Sequence, residues 1–500
     1  MTAVVLAALA LAGCSGGEPS RAAGAPAGAR GSGGTSGAPG GAGRSSAAGG
    51  AAGGAGAAAV PVAAPARVAA VQRLLDSRAA ALRARDASGW LSALDPSATG
   101  FADRQAVAWQ ALSRLPLSRW SWHVDDLQAV DSGTGTPQWA RDAADGDASA
   151  AVAHVVLRYR IAGADDSDVV RRRALLVVQR AEGELLRAQG PADLPDPWDL
   201  GPVQVVLGAR STVIVAGSAS AAAPSPAAAP SPAAALTPAA AQTSGGGPSP
   251  AAPPSGGPLT AAGWSALADR AAAKVDEVWG TGWARRPVVV VPADAAGLAA
   301  LLGRSPAAAG SLSSLAAVTT GLPAQGGALP TGTRVVVNPD EFASLSPAGR
   351  GVVLAHELTH VATRDASAAG AAAVPDWLSE GVADYTGYRG AGVGVDAAAA
   401  ELLADVRASG PPASLPGDAA FDVQEGGSPQ SYESAWLACR MVAQRYGQPA
   451  LVELYRRTQA DGLPAALRAV LGLDPAELTA QWRSYLTRVL RPAASPAPPA

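Results

Sequence analysis

The chain is short of lysine, histidine, cysteine and methionine. Lys274 is its sole lysine, so nearly all of the 38 basic residues are arginine. The formal net charge is −3 and no long basic run occurs, which argues against nucleic acid as a partner. Two cysteines, Cys14 and Cys439, cannot make a disulfide framework. Cys439 falls on an apolar helical face and reads as a small buried hydrophobe. The N-terminal run MTAVVLAALALAGC is shorter than the roughly 20 residues that span a bilayer, and it fits the apolar core of a signal peptide.

Only 4 histidines occur, yet two of them stand four residues apart with glutamate between. His356, Glu357 and His360 form an H-E-x-x-H pattern within VVLAHELTH. Side chains four apart project from one helix face, so both imidazoles can meet one metal ion. Ser346 suits the N-cap and Pro347 the first helical position. Glu357 is placed to act as general base toward water in the open coordination position. Pro375 opens a second helix, DWLSEGVADYTGY, with Glu380 and Asp384 again four apart. Glu380 is the candidate third ligand. Asp384 is the candidate to accept a hydrogen bond from a ligand imidazole and fix its tautomer.

HELTH at 356–360 and WLSEGVADY at 377–385 resemble the two zinc helices of gluzincin metallopeptidases, the M1-like and peptidase MA-like families. That resemblance covers roughly residues 259 to 490. It implies Zn²⁺, a small sheet followed by a mostly helical half, and hydrolysis of a peptide or protein substrate. QSYESAWLACRMVAQRYG (430–447) is similar to the tyrosine-bearing helix of the same families. This implies that Tyr432 stabilises an oxyanion, although a core tyrosine gives the same apolar stripe. No G-A-M-E-N-like segment is present, so the motif that implies aminopeptidase specificity in the M1 enzymes is missing and exo- and endo-cleavage both stay open.

In chain order, residues 1–14 read as a signal peptide. Leu11-Ala12-Gly13-Cys14 resembles the lipobox of bacterial lipoproteins, implying a lipid anchor at Cys14 and a place on the extracytoplasmic face of the cell membrane. Residues 15–66 are Gly, Ala, Ser and Pro, the composition of a disordered tether. Residues 67–217 show helical spacing and then strand-like runs, an α+β domain that resembles NTF2-like folds in pattern. RYR (158–160) and RRR (171–173) read there as a solvated sheet face. His123 and His154 have no partner at ligand spacing and read as structural or surface residues. Residues 218–258 are a Pro/Ala/Ser-rich linker, residues 259–492 the metallopeptidase-like domain, and residues 493–500 a disordered tail.

The expected overall class is α+β. RPVVVVP (286–292), LAAVTTG (315–321) and TRVVVNP (333–339) read as strands ahead of the zinc helix, and AAVTT is the candidate edge for an extended substrate. Two alternatives stand beside the zinc peptidase. One is a catalytically inactive envelope lipoprotein whose zinc-binding domain is a binding or structural module. The other is metal-assisted hydrolysis of a non-peptide substrate.

Overall fold

The computed structural model describes residues 65–131, 135–192, 194–217, 259–312, 315–321, 332–363, 373–421 and 428–490. The expected signal peptide, Cys14, the linker 218–258 and the tail 493–500 lie outside these residues, as does nearly all of the linker 15–66.

Helices α1 (Pro65–Ala84), α2 (Ala87–Leu91) and α3 (Thr99–Leu112) lead into β1 (Leu117–Ala129). After α4 (Gln138–Ala144) come β2 (Ala151–Ile161), β3 (Val169–Arg180) and β4 (Gly183–Gln189). These four strands form an antiparallel sheet in the order β1-β2-β3-β4. Val71 and Leu75 of α1 pack on its inward residues Val124, Val155 and Leu175. Arg158 and Arg172 are exposed, as a solvated face requires, but the other two arginines of the 171–173 cluster depart from it. Arg171 and Arg173 are buried and share Asp196, at 3.1 and 2.9 Å, because a buried guanidinium needs a paired carboxylate.

The second sheet takes β5 (Val203–Leu207) and β6 (Thr212–Ala216) from before the linker. Beyond it follow α5 (Ala261–Trp279), β7 (Val288–Val291), α6 (Ala295–Leu301), β8 (Ala317–Thr320) and β9 (Arg334–Val337). Strand order is β5-β6-β7-β9-β8, with β6, β7 and β9 parallel and the outer strands antiparallel to their neighbours. The expected domain boundary at residue 217 is therefore corrected. Residues 203–216 belong to the sheet of the following domain, held by the parallel register Thr212↔Val288 to Val215↔Val291.

Both faces of this sheet are covered, which is why its strands are unbroken valine runs. Ile214, Val288, Val290 and Val336 face Trp120, Tyr159 and Trp198 of the first unit. Val213, Val289, Val335 and Val337 face the helical half. Buried Arg334 on β9 adds a two-pronged contact to Asp165 beside the first sheet, at 2.6 and 3.0 Å. The site thus rests on a platform built by both halves of the chain.

The remainder is helical: α7 (Pro339–Ser344), α8 (Pro347–Thr363), α9 (Asp376–Tyr388), α10 (Val395–Ala398), α11 (Ala400–Ser409), α12 (Pro429–Tyr446), α13 (Gln448–Asp461), α14 (Leu463–Leu471) and α15 (Pro475–Val489). On α12, Glu433 accepts the Leu402 N–H at 2.6 Å. Burial and the neighbouring Glu401 push its carboxyl from an ordinary 4.5 up to about 9. A raised folded-state value favours the protonated fold. That stability is complete below 4.5 and is lost as pH climbs toward about 9. Glu433→Gln, neutral throughout, is expected to flatten this decline in a series of urea melts across the window. An unchanged pH slope would refute the assignment.

Candidate active site

Ser346 and Pro347 start α8 as their chemistry dictates: the Gly349 N–H donates to Ser346 Oγ at 3.1 Å. Val352, Val353, Leu354 and Leu358 leave the helix buried on every side. His356, Glu357 and His360 are therefore also buried, at 0, 1 and 4 % exposure. Polar groups in such a place need partners, and the neighbouring helix α9 supplies them.

Two glycines let α9 come close enough. A Cβ on Gly381 would stand 2.4 Å from the Ala435 carbonyl oxygen of α12, and one on Gly387 2.8 Å from that of Val352 on α8. Only a residue without a side chain fits at either point. The close approach carries Glu380 and Asp384 to the two imidazoles.

His356 Nε2 and His360 Nε2 lie 3.1 Å apart. Glu380 Oε2 is 3.2 Å from the first and 3.4 Å from the second. The imidazole nitrogens face one another because their second nitrogens point elsewhere: the His356 Nδ1–H donates to Asp384 Oδ1 at 2.8 Å. The structure thus brings together His356, His360, Glu380 and Asp384. Tyr432, on the first turn of α12, is buried with the Phe421 ring edge-on to it at 5.2 Å.

Glu357 sits between the two histidines in sequence and turns to β8. Thr319 Oγ1 lies 2.6 Å from Glu357 Oε2 and 2.9 Å from the Glu357 carbonyl oxygen, so its single proton serves one of them at a time. Among the described residues, Glu357 Oε1 is buried with no hydrogen-bond partner, and Glu380 Oε2 makes no aligned hydrogen bond.

These orphaned acceptors test the site for a metal. Zinc at about 2.0–2.1 Å from tetrahedral donors sets them about 3.3–3.4 Å apart. The three observed edges, 3.1, 3.2 and 3.4 Å, nearly match. Two imidazole nitrogens and one carboxylate oxygen are a zinc donor set, and the described residues offer three such donors, the number a catalytic site uses. Charge points the same way. Glu380 and Asp384 lie against the two imidazoles and Glu357 is buried on the same helix, a surplus of carboxylates that a divalent cation offsets.

The titrations reflect this crowding. Burial lifts the Glu380 carboxyl, but the His360 and His356 imidazoles outweigh it and hold it at about 2. Burial, then the carboxylates of Glu380, Asp384 and Glu357, raise the Tyr432 phenol far above its ordinary value, so it stays protonated. Asp376, at the start of α9, is lifted to about 6 by burial and by Asp418 and Glu380.

Thr319 and Asp376 escaped the sequence reading as site residues. Thr319 lies in the AAVTT segment, where a threonine looks like any strand residue. Asp376 stands four residues before Glu380 on one helix, a spacing that could have flagged it. His154 pairs at the surface with Asp126 at 2.6 Å, and His123 is exposed, so neither joins the site.

Residues 325–488 match the family model of the Peptidase MA superfamily. No curated protein matches the chain. Among solved structures, it is similar to a mutant M1 zinc metallopeptidase from Deinococcus radiodurans bound to a Tyr-Ser-Ala substrate. That likeness has 14 % identity, covers 68 % of this chain and 61 % of the other, and has a TM-score of 0.29. A two-domain M1 zinc metallopeptidase mutant bound to L-arginine is 15 % identical, covers 64 % and 61 %, and has a TM-score of 0.29. The chain spans about three fifths of the length of these structures.

Proposed function

We propose, on the premise that residues 325–488 are a Peptidase MA superfamily domain, that the chain is a zinc-dependent peptidase of gluzincin type. The observation that carries the reading is the triangle of donor atoms on His356, His360 and Glu380, with Glu357 buried on the same helix and its Oε1 without a partner among the described residues. These three residues would hold Zn²⁺, which when bound polarises a carbonyl and acidifies water.

The chain's own groups do the rest. Asp384 takes the Nδ1–H of His356 and so keeps its Nε2 lone pair turned inward. Glu357 Oε1 receives a proton from the attacking water and passes it to the leaving amine. Its other oxygen is held by Thr319, which fixes the carboxylate in one rotamer. The Tyr432 hydroxyl, kept protonated, donates to the oxyanion that forms on the substrate carbonyl. β8, at one end of the sheet order, is the strand along which an extended peptide would lie.

Attachment to the extracytoplasmic face of the membrane through a lipid on Cys14 is part of this proposal and rests on the Leu-Ala-Gly-Cys sequence. Among the described residues, no helix is long and apolar enough to cross a membrane.

The purified protein is expected to hold roughly one zinc per chain. Removing it with a chelator should abolish cleavage of a peptide library, and added zinc should restore it. Hydrolysis that survives complete loss of metal would overturn the reading. Asp384→Asn can no longer accept the His356 proton with full charge, so zinc affinity is expected to fall about 10–100-fold. Competition with a calibrated chelator measures this, and an unchanged affinity would remove Asp384 from the site.

A further inference from the structure

A second site lies off the C-terminal ends of the parallel strands β6, β7 and β9. A cavity of about 350 Å³ opens there, lined by none of the metal-site residues. Its walls are mostly apolar: Val215 and Ala216 come from the end of β6, Val291 ends β7, and Leu259, Trp264 and Phe342 close the sides. The edge beyond the carboxyl ends of parallel strands is where open α/β sheets take their ligands.

One group in this wall is out of character. Arg350, on the first turns of α8, lines the cavity and is only 3 % exposed. Its Nε donates to the Phe342 carbonyl at 3.0 Å and its Nη2 to the Ala343 carbonyl at 2.7 Å. Nη1 makes no hydrogen bond to a described residue, and no described carboxylate lies within ion-pair distance. The buried arginines of the sheets, Arg171, Arg173 and Arg334, each have an aspartate, whereas Arg78 of α1, as buried as Arg350, is held by the Trp90 carbonyl and the Gln105 amide oxygen. Burial alone pulls the Arg350 guanidinium below its ordinary value, with no anion opposing it. The two carbonyls take Nε and Nη2 and leave Nη1 as the donor that an anion in the cavity could use.

We propose that this cavity binds a small carboxylic acid with an apolar body, its carboxylate on Arg350 Nη1 and its body against Trp264 and Phe342. The volume falls in the range of small-molecule pockets. Arg350 stands six residues before His356 on the same helix, so the occupant is tied to the helix that bears both imidazoles.

Titration calorimetry on the whole protein tests this with phenylbutyrate and its uncharged isostere phenylbutyramide. The acid is expected to bind at least about tenfold tighter than the amide, the worth of a charge-assisted contact. Arg350→Gln should erase that preference while leaving amide binding unchanged. Val215→Trp, which fills the cavity and leaves Arg350 in place, should exclude both. Equal binding of acid and amide by the wild type, binding of neither, or a preference that survives Arg350→Gln would each overturn the proposal. Should Arg350→Gln fail to fold, the acid-against-amide comparison on the wild type decides alone.

Discussion

Replacing Glu357 by glutamine is expected to lower peptide hydrolysis by about 10²–10⁴-fold, the range for loss of a general base. Zinc content should remain that of the wild type, since the three donor atoms belong to other residues. The exchange is nearly isosteric. The amide oxygen can still accept the proton of Thr319, as Oε2 does at 2.6 Å. A neutral amide is also easier to bury than the carboxylate it replaces, which is 1 % exposed. The loss should fall on kcat rather than KM, because proton transfer belongs to the transition state. Stopped assays on a peptide library, with metal analysis of the same samples, read both quantities. A variant with near-native turnover ends the mechanism. One that loses its zinc makes Glu357 a ligand instead.

Gly381→Ala is expected to destabilise the fold by about 2 kcal/mol. Alanine in a helix interior is favoured over glycine by about 1 kcal/mol. Against that, the new methyl would stand 2.4 Å from the Ala435 carbonyl oxygen and 2.7 Å from Cys439 Sγ. A backbone carbonyl cannot rotate away, so overpacking of about 3 kcal/mol is the fitting figure, at the upper end of its usual range. Because α9 must then draw back from α12, Glu380 and Tyr432 move apart and activity should fall with stability. Adding Cys439→Ala relieves the sulfur contact but not the carbonyl one, so it should recover only part of the loss. Chemical denaturation of the single and double variants measures this. A Gly381→Ala protein as stable as the wild type would refute the close approach.

How much could be read beforehand depended on the range of the interaction. His356 and His360 are four apart on one helix, and Glu380 and Asp384 repeat that spacing on the next. Local periodicity therefore marked the residues that the structure brings together, though not that the two helices would meet. The capping of α8 by Ser346 and the burial of Cys439 were legible for the same reason. The membership of β5 and β6 was not. Thr212 pairs with Val288, a partner beyond a linker of contrasting composition, and composition suggested a border where the hydrogen bonds run across it. The arginines at 171 and 173 misled similarly. Asp196 neutralises both from a distant loop, and nothing near them in sequence announces it. Thr319 meets Glu357 only once the sheet and α8 are stacked.

The ladder joining β6 to β7 makes the chain a clasp. Severing it anywhere between Ala216 and Val288 would leave two pieces still zipped together through Thr212–Val215 and Val288–Val291. A fragment begun at residue 259 would instead bare β7 along its length, an adhesive rim toward other copies. The smallest piece that keeps this sheet whole must therefore start upstream of Val203.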